Sequence, residues 1–141
     1  MADPIRVEDE PLPRDLERLE HEINQFNFRV TGIHDGRSLA VFLKDASGVL
    51  RAGLAGHTWG GTCEIRFLFV RESERRAGLG SALLRAAEDE ARARGCAQVV
   101  LSTHSFQAPA FYRRHGYLEV GRAEGYPHGH AQIYLRKVLA G

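Results

Sequence analysis

The chain has 141 residues and 15.7 kDa, 43% apolar or tyrosine and 26% charged, which fits one ordinary globular domain and argues against a second independent one. Its 19 basic and 18 acidic side chains leave a formal charge of +1, so it lacks the single-sign field that gathers nucleic acid or anionic lipid. The longest apolar run, Leu39 to Leu43, is far short of the ~18 residues of a membrane span, and no basic-then-apolar leader opens the chain, so a cytoplasmic protein is expected.

Met1 to Pro13 carry three prolines and many charges and read as a flexible arm, with a single domain expected over residues 14–141. From Arg14, Leu16, Leu19, Ile23 and Phe26 recur on one helix face, which predicts a helix to about Gln25. Phe28 to Ile33 and Leu39 to Lys44 read as strands, and the Asp45-Ala46-Ser47-Gly48 turn leads into another over Val49 to Thr58. Thr62 to Val70 alternates: Cys63, Ile65, Phe67 and Phe69 fall on one face, and Glu64, Arg66, Leu68 and Val70 on the other.

A long Ala- and Leu-rich helix is predicted from Gly78 to Arg94, with Glu88–Arg92 and Glu90–Arg94 pairs one turn apart and Gly95 as its stop. Gln98 to Thr103 reads as a strand buried on both faces, and Pro109 opens a short helix through His115 that Gly116 closes. Tyr117 to Gly121 and Gln132 to Val138 are the last two predicted strands. Cys63 and Cys96 are far apart and read as reduced, buried thiols. The order of elements predicts a mixed α/β (α+β) sheet with helices packed on it.

Between a strand and the longest helix lies Arg75-Arg76-Ala77-Gly78-Leu79-Gly80-Ser81. The first turn of a helix presents free N–H groups, glycines allow close approach, and arginines add permanent planar charge, so this turn reads as an anion cradle. A mononucleotide loop would need Gly-Lys-Ser/Thr, and here Ser81 and Ala82 follow Gly80. A dinucleotide fingerprint would need a third glycine where Leu83 stands. A plain helix cap is the remaining reading of the turn taken alone.

The R-x-x-G-x-G pattern of Arg75, Gly78 and Gly80 resembles the acetyl-CoA pyrophosphate loop of the GNAT superfamily of N-acetyltransferases. Downstream, Ser105 to Tyr117, with its Phe111-Tyr112-x-x-x-Gly116-Tyr117 core, is similar to that superfamily's second signature. The resemblance implies a central, mostly antiparallel twisted sheet and a cationic loop, Arg75, Arg76, Ala77, Gly78, Leu79, Gly80 and Ser81, that holds the diphosphate of acetyl-CoA. It also implies that Leu68, Phe69 and Val70 offer backbone contacts to pantetheine and the thioester carbonyl. Where the family often has Asn, Ser105 stands, and Ser105 or Gln107 would substitute for it. One N-terminal helix, where many members have two, implies a more open acceptor site.

The implied reaction is direct attack of a primary amine of a small molecule or peptide on acetyl-CoA in a ternary complex. An alkylammonium near pKa ~10.4 must lose its proton first. Glu64, spaced from Arg75 like the base of the histone acetyltransferase branch, is the expected base, with His128 or His130 as alternatives. Tyr112 stands at the family's acid position, where the cationic loop would lower its pKa as it protonates the leaving thiolate. A metal site at His128 and His130 is disfavoured by the turn residues Pro127 and Gly129. A homodimer is plausible as an assembly, and a noncatalytic acyl-CoA-binding or sensor module is the competing function.

Overall fold

The structure is a computed structural model and describes residues 3–139. Met1 and Ala2 of the expected arm, and Ala140 and Gly141 of the expected domain, lie outside the described residues. The chain forms two compact units, one up to His34 and one from Asp35 onward.

The first unit holds one helix, α1 (Pro13–Thr31). It runs past the expected end at Gln25, and the strand expected over Phe28 to Ile33 is absent. The apolar stripe continues to Val30, and the Thr31 hydroxyl donates to the Asn27 carbonyl at 2.7 Å. Gly32, at φ 71°, then closes the helix in a left-handed conformation, with its N–H on the Phe28 carbonyl. The β-forming residues Phe28 and Val30 thus yielded to a helix face already under way, which ends only at the Gly32 stop. No helix among the described residues is long and apolar enough to cross a membrane.

The second unit comprises β1 (Arg37–Lys44), β2 (Leu50–Trp59), β3 (Thr62–Val70), a 3-10 turn (Glu72–Glu74), α2 (Leu79–Ala93), β4 (Gln98–His104), α3 (Pro109–Arg114), β5 (Leu118–Glu124) and β6 (Ala131–Val138). The six strands form one sheet in the order β1-β2-β3-β4-β6-β5, and only the β3–β4 pair is parallel. One sheet face is covered by α2, whose Leu83, Leu84, Ala87 and Ala91 are buried in a core with Leu39, Ala52, Leu54, Cys63, Ile65, Val99 and Leu101. Each fully buried leucine contributes roughly 1.5–3 kcal/mol, so this helix–sheet layer is the main source of stability.

The expected alternation along β3 breaks at a bulge. Gly56 pairs with Ile65 and Ala55 with Phe67, so Arg66 is passed over and the facing order inverts. Cys63 and Ile65 therefore share the covered face with Leu68 and Val70, whose partners are Leu54 and Ala52. Glu64 shares the outer face with Phe67 and Phe69, contrary to the expected grouping of Glu64 with Leu68 and Val70.

Glu88 also departs from expectation. It does not pair with Arg92, which bonds Asp89 at 3.2 Å; instead it is buried, accepting from the Tyr117 hydroxyl at 2.7 Å and from Lys137 Nζ at 3.0 Å. The Glu90–Arg94 pair forms as expected, at 2.7 Å. Glu88→Ala would leave the Lys137 ammonium and the Tyr117 hydroxyl without their acceptor. A urea titration should read a loss of about 3 kcal/mol or more, the usual penalty for breaking a buried ion pair.

Candidate active site

Parallel pairing of β3 with β4 ends at Ile65–Leu101, although β4 continues to His104 and keeps its ladder with β6 throughout. The two strands therefore part beyond Ile65, and a cleft of about 880 Å³ opens between them and runs to the start of α2 and to α3. Ladder geometry identifies which β3 groups face it. Arg71 N–H donates to the Arg51 carbonyl, so, counting back in alternation, Phe69 and Phe67 bond to β2, while the amides of Leu68 and Val70 point away from β2. The Val70 carbonyl on that side accepts from Arg75 Nε at 3.1 Å, as this alternation requires. Leu68 and Val70 thus offer backbone donors to the cleft, whereas Phe69 offers its ring.

At the other end of the cleft, the chain from Arg76 to Ser81 is a row of unused donors. None of these amides has a hydrogen-bond acceptor among the described residues; the first closed bond of α2 is Ala82 N–H on the Gly78 carbonyl at 3.0 Å. Arg76 at φ 72° and Gly78 at φ 80° adopt the left-handed conformation, which turns successive N–H groups into one concavity. A non-glycine residue held at positive φ is strained, and here the strain falls on the anion loop. Among the described residues, Arg75, Arg76 and Arg114 line the cleft without an ion pair, and the only carboxylate lining it, Glu74, is bound by Arg51 and Arg71. The site is an uncompensated cationic nest, an arrangement that suits an anion.

The structure brings together most of the residues singled out in the sequence. Leu68, Phe69, Val70, Arg75, Arg76, Gly78, Leu79, Gly80, Ser81, Gln107 and Tyr112 line the cleft. Ala77 is exposed and does not line the cleft. Ser105 does not line it: its hydroxyl accepts from Ala131 N–H at 3.0 Å and fixes the start of β6. Gln107 is partly committed, its Oε1 accepting from His104 N–H at 2.7 Å. The Ser81 hydroxyl lies 2.8 Å from His115 Nε2, which ties the first turn of α2 to the end of α3. Burial lowers the His115 pKa, favouring the neutral ring there. Arg114 and Phe106 were not singled out. Arg114 lies within the second signature, two residues after Tyr112, and a cation at that helix end was its available signal.

Tyr112 sits on α3 with its ring buried against Phe111 and Tyr117, at centroid distances of 5.1 and 5.8 Å. Its hydroxyl has no hydrogen-bond partner among the described residues yet is not sealed from the cleft. Burial pushes its pKa up to about 12, the reverse of the lowering expected from the cationic loop. Glu64 does not line the cleft; it is exposed on the outer sheet face, opposite His57 on β2 and Val100 on β4. His128 and His130 lie in the exposed turn closed by Gly125 N–H on the His130 carbonyl at 2.7 Å.

The model of the acetyltransferase (GNAT) family matches residues 3–117. The chain belongs to the GNAT acetyltransferase family. The blasticidin-S acetyltransferase of Streptomyces morookaense is 37% identical to it over 115 residues, 79% of this chain and 85% of that protein. A crystal structure of an acetyltransferase from Bacillus cereus superposes with a TM-score of 0.81 at 31% identity, covering 95% of this chain and 98% of the other. At 17% identity a Bacillus anthracis structure in complex with acetyl coenzyme A shares the fold, with a TM-score of 0.62 over 73% of this chain and 63% of its own. This GNAT protein is an acetyltransferase, and its two signatures occupy the two walls of the cleft.

Proposed function

We propose that the enzyme transfers acetyl from acetyl-CoA to a primary amine by direct attack in a ternary complex. The observation that carries this reading is the cleft itself: unpaired amides and arginines at one end, and a free phenol with two strand amides at the other. The Arg76–Ser81 amides, with Arg75, Arg76 and Arg114, suit the diphosphate of acetyl-CoA. The Leu68 and Val70 N–H groups would hold pantetheine and meet the charge that develops on the thioester oxygen. The complex of the Bacillus anthracis neighbour with acetyl coenzyme A supports the same cosubstrate.

The amine approaches from the outer sheet face, because α2 covers the other. Glu64 stands on that outer face and takes the ammonium proton, through water, given its exposure outside the cleft. Tyr112 returns a proton to the departing thiolate. From pKa about 12 to a thiol near ~8.5 this transfer is uphill by about 5 kcal/mol, well inside the ~16 kcal/mol barrier of a turnover near 10 per second.

The test is acceptor-dependent release of CoA thiol. An amine panel with acetyl-CoA should give thiol release that requires both substrates, and Glu64→Gln should lower kcat/KM by ~10²–10⁴ without weakening acetyl-CoA binding. Undiminished turnover in Glu64→Gln would pass the base role to His128 or His130. Acetyl-CoA binding with no turnover on any amine would favour the sensor reading.

A further inference from the structure

The carboxyl end of β4 and the β5–β6 turn build an aromatic cluster that the reaction chemistry does not use. His104 stacks on Phe106 at 5.4 Å and 3°, and Tyr126 meets His104 edge-on at 5.2 Å. His130 meets Phe106 at 4.9 Å and 69°. A bond of 3.1 Å between His104 Nδ1 and the Tyr126 carbonyl fixes the turn against the strand, so the cluster is held by polar as well as ring contacts. Its large rings are nonetheless open: Phe106 is 56% and Tyr126 55% exposed, and Phe106 lines the cleft. His104 lies on the same outer sheet face as Glu64, from which the acceptor approaches. Across the cleft, Phe67 and Phe69 present exposed rings on that face.

The charges around the cleft limit what these rings receive. Arg66, Arg75, Arg76 and Arg114 line it, and Glu74, its one lining carboxylate among the described residues, is already engaged by arginines. Exposed Glu64 can balance a single ammonium. A polyamine or other polycation would face repulsion with no carboxylate array to receive it.

Resting on the acetyl-transfer reading above, the geometry points to a monoamine bearing a planar aromatic ring as the acceptor class, with Phe106 and Tyr126 as its specificity-determining residues. The ring stacks in the cluster while the amine reaches past Phe106 toward Glu64 and the parting of β3 and β4.

The test compares benzylamine with cyclohexylmethylamine, of nearly equal size, and with spermidine. Binding is measured calorimetrically on the full chain saturated with CoA, where no turnover occurs. A saturated ring is the more apolar, so burial of area alone predicts the opposite order. Benzylamine should bind roughly three- to tenfold tighter than cyclohexylmethylamine, the range of an aromatic pair contact, and spermidine weakest of the three. Phe106→Leu and Tyr126→Leu, both at exposed positions, should each reduce that ratio toward one. Equal or reversed affinities in the unmodified protein, a ratio unchanged in both variants, or tightest binding by spermidine would overturn the inference. Failure of acetyl transfer is read separately, as absence of thiol release when acetyl-CoA replaces CoA.

Discussion

Tyr112→Phe should lower kcat by ~10²–10⁴ while leaving acetyl-CoA affinity and thermal stability close to those of the unmodified protein. The structure allows this separation because the hydroxyl has no partner to lose, whereas the ring, which Phe retains, makes the packing contacts with Phe111 and Tyr117. With a pKa of about 12, the phenol stays protonated past pH 10. The acid form is therefore available across the working range, and the unmodified enzyme should show no alkaline loss of kcat below about pH 10 attributable to this group. Steady-state kinetics from pH 6 to 10, beside a calorimetric titration of acetyl-CoA, reads all of these together. A variant with full turnover would remove Tyr112 from the chemistry and return the acid role to solvent.

The second large effect is expected at Gly56, on the strand opposite the bulge. A Cβ there would lie 1.9 Å from the Glu64 carbonyl oxygen, 2.9 Å from its carbon and 3.0 Å from Ile65 Cα. All three are backbone atoms, so no side-chain rotation relieves the clash and the bulge itself must move. Gly56→Ala should destabilise by about 3 kcal/mol or more in urea unfolding. Gly53→Ala, whose added methyl meets the mobile ends of Phe42 and Leu50 at 3.1 and 3.3 Å, should lose clearly less. The surviving folded fraction of Gly56→Ala should also bind acetyl-CoA more weakly, because the same bulge sets which β3 groups face the cleft. Equal losses at the two glycines would mean that the bulge is not held by backbone contact.

The difference between what the sequence disclosed and what it hid follows from where each signal lies. Both cleft-facing signatures were legible because they are local: a turn of glycines and arginines leaves free amides where it meets a helix, and Gly78 and Arg76 do so here at positive φ. The six strands were also legible along the chain, as short apolar runs broken by turn residues, although the additional strand expected over Phe28 to Ile33 is helix and coil. The bulge was not, since passing over Arg66 depends on the fit between Gly56 and the Glu64 carbonyl, a contact between strands that no periodicity encodes. That one residue inverted the expected grouping of Glu64 with Leu68 and Val70. Glu88 was hidden for a similar reason: its spacing to Arg92 is that of a surface pair, but its helix face is buried against Tyr117 and Lys137. Ser105 carried the right chemistry for a ligand contact and is used instead to anchor β6. The long reach of α1 was available in principle, in the Val30 repeat and Gly32, but the β-forming side chains between them pointed to a strand.

In the proposed function the Arg76–Ser81 nest holds acetyl-CoA for transfer to an amine. Calorimetric titration of acetyl-CoA into the unmodified protein and into Arg76→Ala tests it most directly. Saturable one-to-one binding, weakened roughly tenfold or more by the substitution, in keeping with the loss of a charge-assisted contact to phosphate, is the predicted result. Absence of heat at millimolar acetyl-CoA, or equal affinity in both proteins, would contradict it.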